Sequence, residues 1–320
     1  MSDVSKVLAI PSVLEEKLPL IISELSNSKS KELKELSNRI AKSILNTLRE
    51  RGEGEPLIRA SNIGRPLRYL YLLSKSPRVK EELTLKTYFK FIIGSVMEEV
   101  ILWMIERTGD YVVRDRQKTI GPFKGVKGHL DVVINDVLLD VKTSSGNSFF
   151  KFFNNALFSE QGDSFGYLHQ LGFYHLADKS GANYVGFIVF NRDTLELKLS
   201  LFDTSRLPDP LKKIDEIKSC LKSDVPPDLC YPLKVDDKNG KVTIDSKCTY
   251  CQFFRKCYDL NKDFRAFQYS KTVEYITKDS VPDNIRVPEI NALTLLPLDD
   301  NLPLEVEWKA GFTAKKSLKE

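Results

Sequence analysis

No apolar run in this 320-residue chain is long enough to cross a membrane as a helix. The most apolar stretch, Phe89 to Ile105, is broken by Glu98 and Glu99, well short of the ~20 clean apolar residues a span needs. The N-terminus has no basic segment followed by an apolar run, so no secretory signal is expected and the compartment is expected to be cytoplasmic and reducing. Neither sign of charge dominates: 48 Lys and Arg against 44 Asp and Glu leave +4. That permits a nucleic-acid partner without arguing for one, because strong basic footprints sit nearer a pI above ~9 and this chain's pI is 8.6. Cysteine is scarce, at five, and odd in number. In a reducing compartment such cysteines suit a metal or cluster better than disulfides. No internal repeat is present. What is present is ordinary globular composition, 42% hydrophobic and 29% charged. It excludes collagen, mucin and wholesale disorder, and a chain this long buries a sizeable core without disulfide staples.

Residues 1–56 read as a polar helical segment, with Leu18, Ile21 and Leu25, then Leu33, Leu36, Ile40, Ile44 and Leu48 at helical spacing, closed by the breaker Glu50 to Pro56. Residues 57–206 mix helices and strands. A long helix is expected over 86–107, strands over 111–119, 127–135 and 137–143, a helix over 163–179, and a hairpin of 184–190 with 195–202. Helices flanking a mixed sheet give an α/β domain. Residues 207–262 hold a helix to about 222 and then a loop-rich stretch bearing cysteines. Residues 263–320 read as short strands and extended chain packed on the core, with the final Lys315 to Glu320 frayed.

The most informative stretch runs from Gly128 to Lys142. Asn135-Asp136 suits a two-residue hairpin turn. Ile134 then pairs with Val137, and Asp131 comes opposite Asp140, with Cβ atoms ~4.5–5.5 Å apart. One face collects Leu130, Val132, Ile134, Val137, Leu139 and Val141, all apolar; a slip of one residue would bury carboxylates instead. The other face carries His129, Asp131, Asp140 and Lys142. Two carboxylates so close repel unless a cation or proton intervenes. Hard oxygen ligands favour Mg²⁺ or Mn²⁺, and Lys142 is placed to orient water or to stabilise developing negative charge. A plain surface hairpin with an Asp–Lys salt bridge is the alternative.

Asp131 and Asp140-Val141-Lys142 resemble the core signature of the PD-(D/E)XK nuclease superfamily. Gln170-Leu171-Gly172-Phe173-Tyr174 resembles the Q-x-x-x-Y motif of its RecB-like branch, and Gly94-Ser95-Val96-Met97-Glu98 the G-x-x-x-E motif that precedes the signature. The four motifs fall in the family's order. The resemblance implies a restriction-endonuclease-like core. It implies that Glu98, Asp131, Asp140 and the Val141 carbonyl hold the metal, that Lys142 assists the attacking water, that Gln170 orders the site and that Tyr174 packs on the substrate strand. Glu99 competes with Glu98, which fits the glycine spacing. The segment Ser61 to Tyr69 resembles the place where relatives carry a first cluster cysteine; none stands here. Arg65 and Arg68 are candidate DNA-phosphate contacts and His129 a site-edge residue, with solvated arginines and a strand-end histidine as the plainer alternatives. His169 and His175 have no spacing that argues for metal binding.

Cys248-Thr249-Tyr250-Cys251 and Cys257 form C-x2-C-x5-C, with Cys230 the best fourth ligand. The stretch resembles the C-terminal triplet of cluster-bearing RecB-like nucleases, including phage-encoded ones. An iron–sulfur cluster, zinc and no metal all remain open, the role in the first two cases being a structural clip. Cys220 reads as a buried thiol. The expectation is a Mg²⁺- or Mn²⁺-dependent DNA exonuclease acting on linear ends, phage-encoded, in the bacterial host cytoplasm, used in recombination or host-DNA degradation. A single-strand-binding or recombination protein is a further expected partner. A nicking or structure-specific endonuclease and an inactive DNA-binding scaffold are the rivals.

Overall fold

The computed structural model describes residues 3–26, 31–48, 58–76, 85–159, 162–178, 182–270 and 272–298. The chain divides into two compact units. The first comprises 1–65 and 85–223, the second 66–84 and 224–320. The breaker at 50–56 and the C-terminal Lys315 to Glu320 lie outside the described residues.

Helices α1 (Asp3–Leu8), α2 (Ile10–Leu25) and α3 (Lys31–Leu48) open the first unit. Helix α4 (Leu67–Lys75) belongs to the second, and α5 (Leu85–Thr108) returns to the first. There follow β1 (Val113–Arg114), β2 (Lys118–Phe123), β3 (Val126–Leu130), β4 (Val132–Ile134) and β5 (Val137–Ser144). Then come α6 (Asn147–Phe150), α7 (Tyr167–Asp178), β6 (Tyr184–Asn191), β7 (Leu197–Asp203) and α8 (Pro210–Lys222). The main sheet is mixed, in the order β1-β4-β5-β6-β7, with β5 and β6 parallel and the other pairs antiparallel. Helices cover it, so the unit is α/β.

Strand β6 reads as a nearly continuous apolar run, as a strand covered on both faces does, while β5 is apolar from Val137 to Val141 except at Asp140. One face packs Val132, Ile134, Val137, Leu139, Val141 and Ile188 against Val7, Ile10 and Leu14 of α1 and α2 and Ile101, Leu102 and Ile105 of α5. Five of the six residues assigned to the apolar face from sequence therefore lie in one core; the sixth, Leu130, is fully buried on β3. Helix α7 crosses the other face, inside the long connection that a parallel pair requires. Helix α3 buries no residue fully. It lies along α5, where Arg39 donates to Glu106 at 2.7 Å and Thr47 and Ser95 share a hydroxyl hydrogen bond of 2.6 Å.

The hairpin turn forms as the sequence suggests. Asn135 and Asp136 have φ of 45° and 61°, both left-handed, as a type I′ turn requires. The strands expected over 111–119 and 127–135 are each broken in two. Asp115 and Gln117 adopt left-handed φ of 55° and 50°, which turns the chain between β1 and β2. Beyond Asp131, β3 leaves the main sheet and pairs with β2 in a separate two-stranded ribbon.

The second unit is built on a five-stranded sheet. Its strands are β8 (Lys234–Val235), β9 (Val242–Thr243), β10 (Phe264–Gln268), β11 (Val273–Thr277) and β12 (Glu289–Ile290), in the order β12-β10-β11-β9-β8. Phe254, Leu260, Phe264, Ala266, Tyr275 and Ile290 form its core. Helix α4 is tied in by the Tyr71 hydroxyl, which donates to the Asp224 carbonyl at 3.0 Å, and by Tyr69 meeting Phe253 edge-on. Among the described residues no helix is long and apolar enough to cross a membrane.

Candidate active site

The register of β4 on β5 is Ile134↔Val137, Val133↔Leu138 and Val132↔Leu139. One further step would pair Asp131 with Asp140, but the ladder stops there. The Asp131 carboxylate instead accepts the Val141 backbone N–H at 2.8 Å, and its carbonyl accepts the Gln117 N–H at 3.0 Å. The side chain thus takes over a strand-end donor, which holds the carboxylate beside β5.

Asp140 alternates with Leu139 and Val141 and so turns away from the α1–α2–α5 core, towards α7. Its carboxylate is 1% exposed and forms an ion pair with Lys142. Gln170, on α7, donates its amide to Asp140 Oδ1 at 3.1 Å and to the Tyr174 hydroxyl at 3.0 Å. Residues four apart share a helix face, so Gln170 and Tyr174 act together on Asp140. Tyr174 is 2% exposed. Its ring is packing, which leaves little of it to meet a substrate strand.

Glu98 approaches from α5, and the Gln117 side chain donates to it. Gly94, one turn earlier, lies beside β5: a Cβ there would make an ordinary contact, 3.4 Å from Thr143 Oγ1. Glu99 is engaged elsewhere, in an ion pair with Arg116, which also meets Glu106 at 2.7 Å. Burial, reinforced by Asp131 and Asp140, raises the Glu98 carboxyl well above its ordinary range. Burial and then the Asp140 charge push Asp131 up to about 8. Burial works against the Lys142 ammonium, but Asp140 and Asp131 outweigh it and raise its pKa. The site therefore has a fixed cation, Lys142, amid carboxyls that resist ionisation together.

Two residues not singled out from sequence also belong here. The Tyr167 ring lies 5.2 Å from Lys142 Nζ, three residues before Gln170 and on the same face of α7. Asp163 caps that helix: its carboxylate accepts the N–H groups of Gly166, Tyr167 and Leu168, each at 2.8 Å. An aspartate just ahead of a helical pattern is the legible signal for such a cap; Tyr167 has no comparable signal.

Other candidates are not drawn into the cluster. His129 sits exposed on the β2–β3 ribbon, opposite Thr119, with Nδ1 3.2 Å from its hydroxyl. Arg65 lies over the Phe165 ring at 4.4 Å. Arg68 belongs to the second unit, where it donates to the Pro227 carbonyl and to Cys257 Sγ.

The metal assignments are overturned. Among the described residues no group of three or more His, Cys, Asp or Glu side chains is arranged to hold a metal ion. The expectation of Mg²⁺ or Mn²⁺ on Glu98, Asp131, Asp140 and the Val141 carbonyl fails because these acids are directed at protein donors. Gln117 engages Glu98, the Val141 N–H engages Asp131, and Lys142 with Gln170 engages Asp140. The expectation of an iron–sulfur cluster or zinc on Cys230, Cys248, Cys251 and Cys257 fails likewise. The Cys248 thiol meets the Tyr258 hydroxyl at 3.7 Å, and Cys257 Sγ accepts from Arg68 at 3.4 Å. Burial raises Cys230 and pushes Cys248 up to about 11. None of the five cysteines is in a disulfide, and Cys220 on α8 is half-buried.

No protein-family model matches the chain. No curated protein matches it either. Among solved structures, the crystal structure of SSO0001 is similar over 70% of this chain and 95% of its own, with 14% identity and a TM-score of 0.41.

Proposed function

We propose that the chain is a DNA nuclease of the PD-(D/E)XK type, with a restriction-endonuclease-like core, and that it hydrolyses phosphodiester bonds at the Asp131–Asp140–Lys142 site. The observation that carries this reading is the arrangement around Asp140. Its carboxylate is buried on β5, paired with Lys142 two residues on, and held by Gln170 from α7. Asp131 stands one hairpin step away and Glu98 adds a third acid from α5. Four sequence motifs spread over 94–174 supply these side chains, and the influence of Glu98, Asp131, Asp140 and Lys142 on one another's ionisation supports one site.

In this reading Lys142 is a cation at every physiological pH. It attracts the scissile phosphate and stabilises the negative charge that builds on its oxygens. Asp140 orients the ammonium, and Gln170 fixes the Asp140 rotamer. Asp131, held above the ordinary carboxylate range by burial and Asp140, is mostly protonated at neutral pH, and the ionised form that can take a proton from attacking water grows as pH rises towards about 8. DNA ends are the proposed substrate.

The test is cleavage of end-labelled linear DNA and of a closed circle, in EDTA and in buffers containing divalent salts, by the wild type, Asp140→Asn and Lys142→Ala. Release of nucleotides from linear ends by the wild type alone supports the reading. Rapid cutting of the circle replaces the exonuclease with an endonuclease. Wild-type rates from either variant would place the chemistry elsewhere.

A further inference from the structure

Beside the carboxylate site runs a short column of flat groups. Phe152 stacks on Tyr167 with ring centroids 5.4 Å apart and planes inclined by 27°. Tyr167 stacks on Phe165 at 5.5 Å and 14°. The Arg65 guanidinium lies over Phe165 at 4.4 Å. Phe152 is buried, Tyr167 is half-buried and Phe165 is 49% exposed, so the column runs from the core to the surface. Tyr167 links the column to the carboxylate site, since Lys142 Nζ lies 5.2 Å from its ring centroid.

A single exposed phenylalanine is unremarkable. This one is held rigidly, which a solvent-facing apolar side chain does not otherwise need. Gly166 follows it with φ +80°, and a Cβ on Gly64 would lie 2.3 Å from the Gly166 Cα. The backbones carrying Arg65 and Phe165 are therefore locked against each other. Asp163 fixes the same turn through its three N–H contacts. A preorganised ring loses little freedom when a ligand covers it.

The geometry points to Phe165 and Arg65 as a stacking platform for an unpaired nucleobase, on a single DNA strand whose backbone leads to Lys142. The inference rests on the nuclease reading and gives its substrate a form. Along a strand, base faces open to a protein ring where bases are unpaired, a duplex exposing only its terminal pair, and stacking of this kind is sequence-tolerant. A guanidinium beside the ring serves as a second plate or as a phosphate partner. Two cations on the column, Arg65 over Phe165 and Lys142 against Tyr167, suit a polyanion better than an apolar peptide.

The experiment uses the full chain and a fluorescein-labelled oligothymidylate with a phosphorothioate backbone, alongside the same backbone without bases. Binding is read by anisotropy. Phe165→Ala should weaken oligothymidylate binding about ten-fold, while Phe165→Trp preserves it and the new indole is quenched on binding. The abasic strand should bind the wild type and Phe165→Ala equally. Unchanged affinity in Phe165→Ala overturns the platform. So does equal weakening on the abasic strand, and so does a wild type that does not bind oligothymidylate. Cleavage by the same proteins is measured separately on linear DNA. Lack of base dependence with cleavage intact sinks the platform alone. Base-dependent binding without any cleavage supports the platform and overturns the nuclease reading.

Discussion

Gln170 bridges two elements with one amide: its Nε2 donates to Asp140 Oδ1 at 3.1 Å and to the Tyr174 hydroxyl at 3.0 Å. Through it, a helix that only packs on the sheet also fixes the rotamer of a buried carboxylate. Gln170→Ala removes a partner from a group that is 1% exposed. The expected loss is about 1–3 kcal/mol of stability, read as a lowered midpoint in denaturant. Cleavage should fall with it, and Gln170→Glu, which sets a second carboxylate against Asp140, should cost more than Gln170→Ala.

Asp140→Asn keeps the shape of the side chain and removes the charge that faces Lys142. Cleavage should drop at least about 100-fold while affinity for DNA is held or rises, since one negative charge is gone. Gel-shift and cleavage measurements on the same preparation check this. A variant that cleaves normally sinks the assignment.

Asp131 makes the fold sensitive to pH. A carboxyl held above its ordinary range stays protonated in the fold where the unfolded chain would ionise. Its burden on stability is absent below pH ~4, grows as pH rises towards about 8, and levels off above that. Asp131→Asn should therefore raise the melting temperature at pH 9 and not at pH 4. Each kcal/mol relieved is worth about 2–4 °C in a unit of this size. An equal shift at both pH values would mean that the carboxyl is not raised.

Gly64→Ala tests the loop that carries Arg65. The added methyl would meet the Gly166 backbone at 2.3 Å, and neither chain is the loose end of a side chain. The fold should lose about 1–3 kcal/mol or separate these loops. Phe165 and Arg65 would then part, and oligonucleotide binding should fall together with stability. A variant as stable as the wild type would show that the Gly64 and Gly166 backbones do not approach so closely.

The alternation of Val132, Ile134, Val137, Leu139 and Val141 settles the hairpin register from sequence alone, because any slip would bury Asp131 and Asp140 on the wrong face. Asn135-Asp136 settles the turn, because its residues tolerate left-handed φ. The spacing of Gln170 and Tyr174 puts them on one helix face without reference to any neighbour. Those are local periodicities, and a sequence carries them openly. Which partner each polar group meets is a tertiary matter. The Asp131 carboxylate takes a backbone N–H and ends the ladder, so β3 and His129 leave the sheet; nothing within the strand encodes that break. Tyr174 becomes core because α7 lies on the sheet, and Arg68 is bound within the second unit by Pro227 and Cys257, more than 150 residues away in sequence. Cysteine spacing suggested a shared ligand set, yet the Cys248 thiol meets Tyr258 and Cys257 meets Arg68 instead. Spacing fixes which face a side chain occupies; only packing fixes what stands opposite it.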